Sequence, residues 1–288
     1  MTSAREPVAI DSVLVIGAGT MGGGIAQVLA EAGIETALAD ADDSALERGG
    51  AAISARWERA IQSGRRSAEA VAEARKHLRP GSLADAAQSG LIIEAIVEKL
   101  DAKTELFRAL AKIAPPDTCL ASNTSSIGIT ALGRASSRPD RFVGMHFFNP
   151  VPVLPLVEIV RGLETSDETV ATVTALAERI GKTPVVVNDA PGFVANRLLL
   201  PMINEAIFTL DEGIASAEAI DTVMKLGMSH PMGPLALADL VGLDICLDIL
   251  ETLHRDFGDD KYRPSPLLRR MVAAGRLGRK SGQGFYAY

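Results

Sequence analysis

Residues 12–33 read SVLVIGAGTMGGGIAQVLAEAG. Val13 to Ile16 form an unbroken apolar run. Gly17, Gly19 and Gly22 then fall in the pattern GxGxxG, and Ile25, Val28 and Leu29 recur at helical spacing before Gly33 stops the run. The segment reads as strand, tight turn and helix. The next apolar stretch, ETALAD, reads as a second strand ending at Asp40, roughly 20 residues beyond the turn. Each glycine has a physical task. The first permits the turn, the second lets backbone approach a pyrophosphate, and the third lets helix and strand pack closely. The start of the helix offers backbone N–H groups and a positive dipole end to phosphate.

This context points to a dinucleotide. Asp40 suits an adenine ribose and repels a 2′-phosphate, which favours NAD over NADP; Asp42 and Asp43 add negative charge, and no arginine adjoins Asp40. Gly17, Gly19, Thr20, Met21, Gly22 and Asp40 are the expected cofactor-binding residues of this loop. A glycine-rich turn without a ligand is the plain alternative. FAD uses the same fingerprint, but the chain is short and has no second flavin-type segment.

Working outward, the pattern alternates. A helix is expected from about Ser44 to Ser63, and charged helices flank Gly64 as a projecting pair. A strand is expected from Leu91 to about Val97, then an amphipathic helix carrying Leu100, Phe107, Leu110 and Ile113 on one side. TCLASNTSS reads as a strand entering a polar loop, RFVGMHFF and LPLVEIV as strands around a proline loop, and TPVVVND as a late strand after a helix over about 167–180. Strands alternating with helices argue for a mostly parallel, doubly wound sheet of Rossmann type. From Pro191 onward three helical runs are expected, the first kinked at Pro201 and the last covering PLALADLVGLDICLDILETLHRDFG. The expected organisation is α/β, with a dinucleotide-binding domain over 1–188 and an all-α domain over 189–288. The strongly apolar first helix of the second domain suggests a homodimer.

GMHFFNPVPVLPLVEIV, residues 144–160, is an apolar stretch broken by three prolines and carrying His146 and Glu158. Either would be costly to bury alone. Alternation puts Gly144, His146 and Phe148 on one side of a strand and Leu156, Glu158 and Val160 on one side of the next. If the proline loop folds these strands together, His146 and Glu158 face each other. The carboxylate then fixes the tautomer of an imidazole whose other nitrogen takes a proton. A satisfied core histidine and a solvated edge glutamate are the competing readings. His77, His230 and His254 lie in charged or helical settings and read as structural or exposed.

Composition narrows the function classes. The chain has 288 residues, a formal charge of −7 and 47% apolar residues, which suits a packed core and gives no support for nucleic acid as a partner. No apolar run approaches the roughly 20 residues that span a bilayer, and the N-terminal stretch lacks the apolar core of a secretory signal. Cys119 and Cys246 form no CxxC, so a reducing, cytoplasmic compartment is expected, with both as small core residues. No metal-ligand spacing stands out.

GAGTMGGGIA, EAIVEKLDAK, ASNTSSI, GMHFFNPVPVLPLVEIV, PGFVANRLL, SHPMGPLALADLVGLD and GRKSGQGFYAY occur in order along nearly the whole chain. Together they resemble the 3-hydroxyacyl-CoA dehydrogenases, most closely the bacterial 3-hydroxybutyryl-CoA type. The resemblance implies NAD as cofactor, an acyl-CoA substrate between the domains and a place in fatty acid metabolism of the β-oxidation kind. It makes His146 the catalytic base and Glu158 its partner. Ser125 and Asn196 become contacts to the substrate oxygens, and Asn123 and Asn149 supporting polar contacts near the cofactor. Glu98 and Lys103 become cofactor contacts. Arg56, Arg59, Arg65 and Arg66 become candidates for the coenzyme A phosphates, although the helical pair does not match the family residue by residue. Each has a plainer alternative: Ser125 and Asn123 as helix caps, Asn196 as an exposed polar residue, Lys103 as a surface charge, the arginines as a solvated face. The alternatives in function are 3-hydroxyadipyl-CoA, a hydroxy acid or sugar acid without coenzyme A, a non-catalytic NAD-binding protein and a dinucleotide sensor.

Overall fold

The computed structural model describes residues 9–288. Residues 1–8, part of the stretch read as lacking a secretory signal, lie outside the described residues. The chain forms two compact units that part between Asp189 and Ala190.

The first unit contains β1 (Ser12–Ile16), α1 (Thr20–Glu31), β2 (Glu35–Ala39), α2 (Asp43–Gln62), α3 (Ala68–Lys76), β3 (Leu78–Pro80), β4 (Leu91–Glu94), α4 (Leu100–Ile113), β5 (Cys119–Ser122), α5 (Ile129–Ala135), β6 (Phe142–Phe147), β7 (Leu156–Arg161), α6 (Asp167–Arg179) and β8 (Thr183–Asn188). The strands form one sheet in the order β3-β2-β1-β4-β5-β6-β7-β8. Neighbours run parallel except β6 and β7, which are antiparallel. This is the expected doubly wound, mostly parallel architecture. The order reverses between β1 and β4, the switch point at which such sheets bind ligands. Because β1, β4, β5 and β6 share a direction, their carboxyl ends (Ile16, Glu94, Ser122 and Phe147) reach the same edge.

The central strands are mostly apolar because helices cover both faces; β4 and β5 are buried at every residue, including the polar Glu94 and Ser122 at their carboxyl ends. Helix α1 lies close to the sheet because Gly22 and Gly24 have no side chain. A Cβ at Gly22 would stand 1.8 Å from the Gly17 carbonyl oxygen, and one at Gly24 would stand 2.9 Å from Val151. The helical pair around Gly64 is α2 and α3, and Ile53, Trp57, Val71 and Ala74 seat it in the core of the sheet unit. Strand β4 ends at Glu94, short of the expected Val97. The Glu94 carboxylate accepts the Ile96 N–H at 2.7 Å and turns the chain there.

The second unit is helical: α7 (Ala195–Asp211), α8 (Ala217–Gly227), α9 (Pro234–Val241), α10 (Leu243–Phe257) and α11 (Pro266–Ala273). Leu200, Ile203, Leu235, Cys246, Leu250 and Leu268 belong to its core. Pro201 lies inside α7, which runs on past it. The run expected as one helix over PLALADLVGLDICLDILETLHRDFG is two. Gly242, at φ 107°, breaks it, a conformation in which an L side chain is strained. No described helix is long and apolar enough to cross a membrane.

Candidate active site

The glycine loop leaves β1 at the switch point. Gly17 has φ +106°, and a Cβ there would meet the Ala95 carbonyl oxygen at 2.4 Å, so only glycine fits. Around Gly19, by contrast, nothing stands within 4 Å of a built Cβ. Gly19 is also the N-cap of α1, and no side chain caps that end. An open approach to backbone beside uncapped N–H groups is what a pyrophosphate requires. Asp40, just past β2, accepts the Ala18 N–H on Oδ2 at 2.7 Å and the Asp42 N–H on Oδ1 at 3.0 Å. The residues present therefore fit a dinucleotide. Thr20 is exposed, whereas Met21 packs partly into the core.

The proline loop does fold β6 and β7 together. His146 pairs in register with Glu158, and Nδ1 lies 2.8 Å from Oε2. His146 is 7% exposed and Glu158 3%. A carboxylate so placed holds the ring through Nδ1 and fixes its orientation and tautomer. The Phe148 ring lies 4.6 Å from the imidazole, centroid to centroid. Lys182, buried just before β8, donates to the carbonyls of Val151 at 2.5 Å and Leu154 at 2.8 Å, and so holds the loop joining the two strands.

Beside β6, the loop after β5 is held from two sides. Asn123 Oδ1 accepts the Phe147 N–H at 2.9 Å, next to His146. Glu98 Oε1 accepts the backbone N–H groups of Ser125 at 2.9 Å and Ser126 at 3.1 Å, and the Thr124 hydroxyl as well. Neither Asn123 nor Ser125 caps a helix: α5 begins after Gly128 with no side-chain cap. Glu98 Oε2 lies 3.2 Å from the Lys103 ammonium. Burial works against ionisation of Glu98, but Lys103 and the hydrogen bonds from Thr124 and Ser125 outweigh it and hold its pKa below the ordinary carboxylate value.

The remaining candidates are more dispersed. Lys103 is not the surface charge it resembled: its side chain is 1% exposed and its ammonium faces Glu94, Glu98 and the Ile96 carbonyl, so its protons meet protein acceptors rather than a surface ligand. Arg56 is spent on packing α2 to α1, through Gln27 Oε1 at 2.5 Å and the Gly23 carbonyl at 3.1 Å. Arg66 pairs with Glu31, and exposed Arg65 donates to the Ser63 hydroxyl. Asn149 is exposed. Asn196 is buried on α7 of the second unit, not on an exposed helix face. Glu94 and Lys182 were not singled out in the sequence. Glu94 did carry a signal, a lone charge inside the apolar run LIIEAIV.

Comparison with known proteins identifies the family. The NAD-binding domain of 3-hydroxyacyl-CoA dehydrogenase matches residues 12–190, and the C-terminal domain of the same family matches residues 192–288. A probable 3-hydroxybutyryl-CoA dehydrogenase of Deinococcus radiodurans is 56% identical over 275 residues, covering 95% of this chain and 99% of the relative. A 3-hydroxybutyryl-CoA dehydrogenase of Bradyrhizobium diazoefficiens is 48% identical over 280 residues, covering 97% and 96%. The crystal structure of (S)-3-hydroxybutyryl-CoA dehydrogenase from Ralstonia eutropha superposes with a TM-score of 0.95 at 48% identity, covering 97% of this chain and 99% of that one. The chain belongs to the 3-hydroxyacyl-CoA dehydrogenase family.

Proposed function

We propose that this protein is an NAD-dependent (S)-3-hydroxyacyl-CoA dehydrogenase acting on short acyl chains, with 3-hydroxybutyryl-CoA and acetoacetyl-CoA as the substrate pair. The observation that carries the reading is the buried His146–Glu158 pair on the strand whose carboxyl end shares an edge with the glycine loop. The names of the relatives support the acyl-CoA class.

Bound NAD supplies a hydride acceptor for the carbon that bears the hydroxyl group. Gly17, Gly19, Gly22 and Asp40 would hold it at the loop. His146 takes the hydroxyl proton on Nε2 as the carbonyl forms, and returns it in the reductive direction. Glu158 holds the imidazole by Nδ1 and offsets the charge that develops on the ring. Ser125, on the loop fixed by Glu98, orients the substrate oxygen. The motif PGFVANR supports Asn196, on α7 of the helical unit, as a substrate-binding residue. Arg59 and Arg65, exposed on and just after α2, are assigned to the coenzyme A phosphates, and their exposure supports that assignment. The compartment is the cytoplasm, in keeping with two cysteines that are both free. The protein is a homodimer: Val223, Leu226 and Met228 at the end of α8 are 61%, 81% and 61% exposed, an apolar surface suited to a second copy.

The test is NADH oxidation with acetoacetyl-CoA, longer 3-ketoacyl-CoA esters and free acetoacetate, repeated with NADPH. Turnover of the short ester with NADH, and little with free acetoacetate or NADPH, is expected. No turnover of any acyl-CoA ester overturns the reading, and sedimentation at the monomer mass overturns the dimer.

A further inference from the structure

A charged chain runs behind the loop that bears Ser125. Glu94, at the carboxyl end of β4, is 0% exposed. Its Oε1 accepts the Ile96 N–H at 2.7 Å and lies 2.5 Å from the Lys103 ammonium; its Oε2 accepts the Ser122 hydroxyl at 2.6 Å. The Ser122 oxygen accepts the Thr124 N–H at 3.2 Å. Lys103 also faces Glu98, 3.2 Å from Oε2, and Glu98 turns its other oxygen to the N–H groups of Ser125 and Ser126. Two carboxylates thus share one ammonium, and the chain emerges at Glu98, whose side chain is 38% exposed.

A core needs no such arrangement. Burying a carboxylate and an ammonium together rarely adds net stability over apolar residues of the same size, whereas losing one partner leaves a costly unpaired charge. What the arrangement does give is a fixed position. Lys103 has a long, flexible side chain, and two carboxylates hold its ammonium at one point. Glu98 is then held at one oxygen by a charge and at the other by the loop.

We infer that Glu94 is a positioning residue of the dehydrogenase site: it anchors Lys103, which clamps Glu98 and thereby sets the backbone of the loop that carries Ser125, a loop tied to β6 through the Asn123–Phe147 bond. The inference rests on the proposed dehydrogenase function. Glu94 touches neither substrate nor cofactor in this reading; it acts through Lys103 and Ser122.

The experiment compares wild type, Glu94→Gln and the neutral double variant Glu94→Gln/Lys103→Met in the full chain. Melting temperature, Kd for NADH by fluorescence titration, and kcat and KM with acetoacetyl-CoA are measured for each. A misplaced reacting group can cost about 10²-fold. Glu94→Gln is therefore expected to lose tenfold to hundredfold in kcat, with Kd for NADH and KM for the ester changed less than about threefold. The double variant removes both fully buried charges, while Glu98, 38% exposed, keeps its Thr124, Ser125 and Ser126 donors; it is expected to recover most of its melting temperature but not its kcat. Wild-type kcat in a folded Glu94→Gln protein overturns the inference. Should Glu94→Gln fail to fold, the double variant decides: restored kcat means that the ion pair serves the fold alone, and low kcat supports positioning. Absence of acyl-CoA turnover in wild type would instead bring down the functional reading together with the inference.

Discussion

Nδ1 of His146 lies 2.8 Å from Oε2 of Glu158, twelve residues further along the chain, across the one antiparallel step in the described sheet. The reversal of β7 is what makes the pair, since it brings two alternating strands face to face around a short loop. Replacing His146 with alanine would leave a buried carboxylate with its imidazole partner gone. His146→Asn is the better probe, because its amide can still donate to Glu158. Turnover should fall by about 10²–10⁴-fold, the usual contribution of a general base, while NADH titrates as in wild type. Glu158→Gln should cost about 10²-fold or more, since a neutral amide neither fixes the tautomer nor offsets the imidazolium. A His146→Asn protein that turns over at the wild-type rate would show that the base lies elsewhere.

Asp40 has two tasks in the structure. Its position past β2 suits a ribose, yet its Oδ2 also accepts the Ala18 N–H and braces the glycine loop. Substitutions meant to relax cofactor choice should therefore separate. Asp40→Asn keeps an acceptor for Ala18 and removes the charge, so NADPH use should rise relative to NADH. Asp40→Ala removes both, and a lost hydrogen bond to a charged group is worth about 1.5–3 kcal/mol. kcat/KM with NADH should fall about tenfold or more, without a matching gain for NADPH. Unchanged NADH kinetics in Asp40→Ala would dismiss the bracing role.

The legible parts of the molecule were those whose chemistry is local. The glycine spacing, the strand before it and Asp40 after it specify β1, α1 and β2, because each residue is read against neighbours in sequence. The His146–Glu158 pairing followed from alternation and a loop short enough to fold back. Strand β3 escaped because Leu78–Pro80 is three residues long and is defined by pairing with β2, not by a pattern of its own. The break between α9 and α10 escaped because apolar spacing continues through Gly242, whose positive φ reports the break only in space. The burial of Lys103, for which a surface charge was the plainer reading, and of Lys182, which drew no reading, was not legible because what each lysine serves lies outside its own sequence pattern: Glu94 in one case, the carbonyls of Val151 and Leu154 in the other.

Lys182 gives a test of how the proline loop is held. Burial pushes its pKa below the usual lysine value, so the ammonium is retained against a desolvation cost by the two carbonyls it serves. Lys182→Met keeps the stem and removes the donors. Leaving buried acceptors without partners costs about 1–3 kcal/mol each, and a domain of this size loses about 2–4 °C in Tm per kcal/mol. The loop sets the register of β6 against β7, so kcat should fall along with Tm. A lower Tm with an unchanged kcat would mean that the loop is held independently of the pair.

The two thiols should be inert in the folded protein. Cys246 is 0% exposed, and burial, with Asp244 and Asp239 nearby, pushes its pKa up to about 12 from 9.0; burial raises that of Cys119 too. Thiolate is the reactive form, so neither cysteine should react with an aromatic disulfide reagent at pH 8 until guanidinium unfolds the chain, when both should. The sign for stability follows. The folded state keeps the Cys246 proton after the unfolded state has released it, so this contribution is complete below pH 9 and is lost between about pH 9 and 12. Cys246→Ala should flatten the alkaline fall in denaturation midpoint over that window. Rapid labelling of native protein at pH 8 would contradict the burial of both thiols.

Close packing around a buried carboxylate makes the C-terminal segment of the helical unit sensitive to a single methyl group. Asp239, 1% exposed on α9, accepts the N–H groups of Phe285 at 3.0 Å and Tyr286 at 2.9 Å and the Tyr288 hydroxyl at 3.2 Å. A Cβ at Gly284 would stand 1.9 Å from Asp239 Oδ1. Gly284→Ala must therefore push the segment away from the carboxylate that holds it, and bonds to a charged group contribute about 1.5–3 kcal/mol each. The expected loss is about 3 kcal/mol or more, read from the midpoint of denaturant unfolding. Gly227→Ala is the control within the same unit: it ends α8 with nothing inside 4 Å of a built Cβ, and its midpoint should shift by less than about 1 kcal/mol. Equal midpoints for the two variants would mean that the segment does not need its seat on Asp239, and that the glycine is there for some reason other than room.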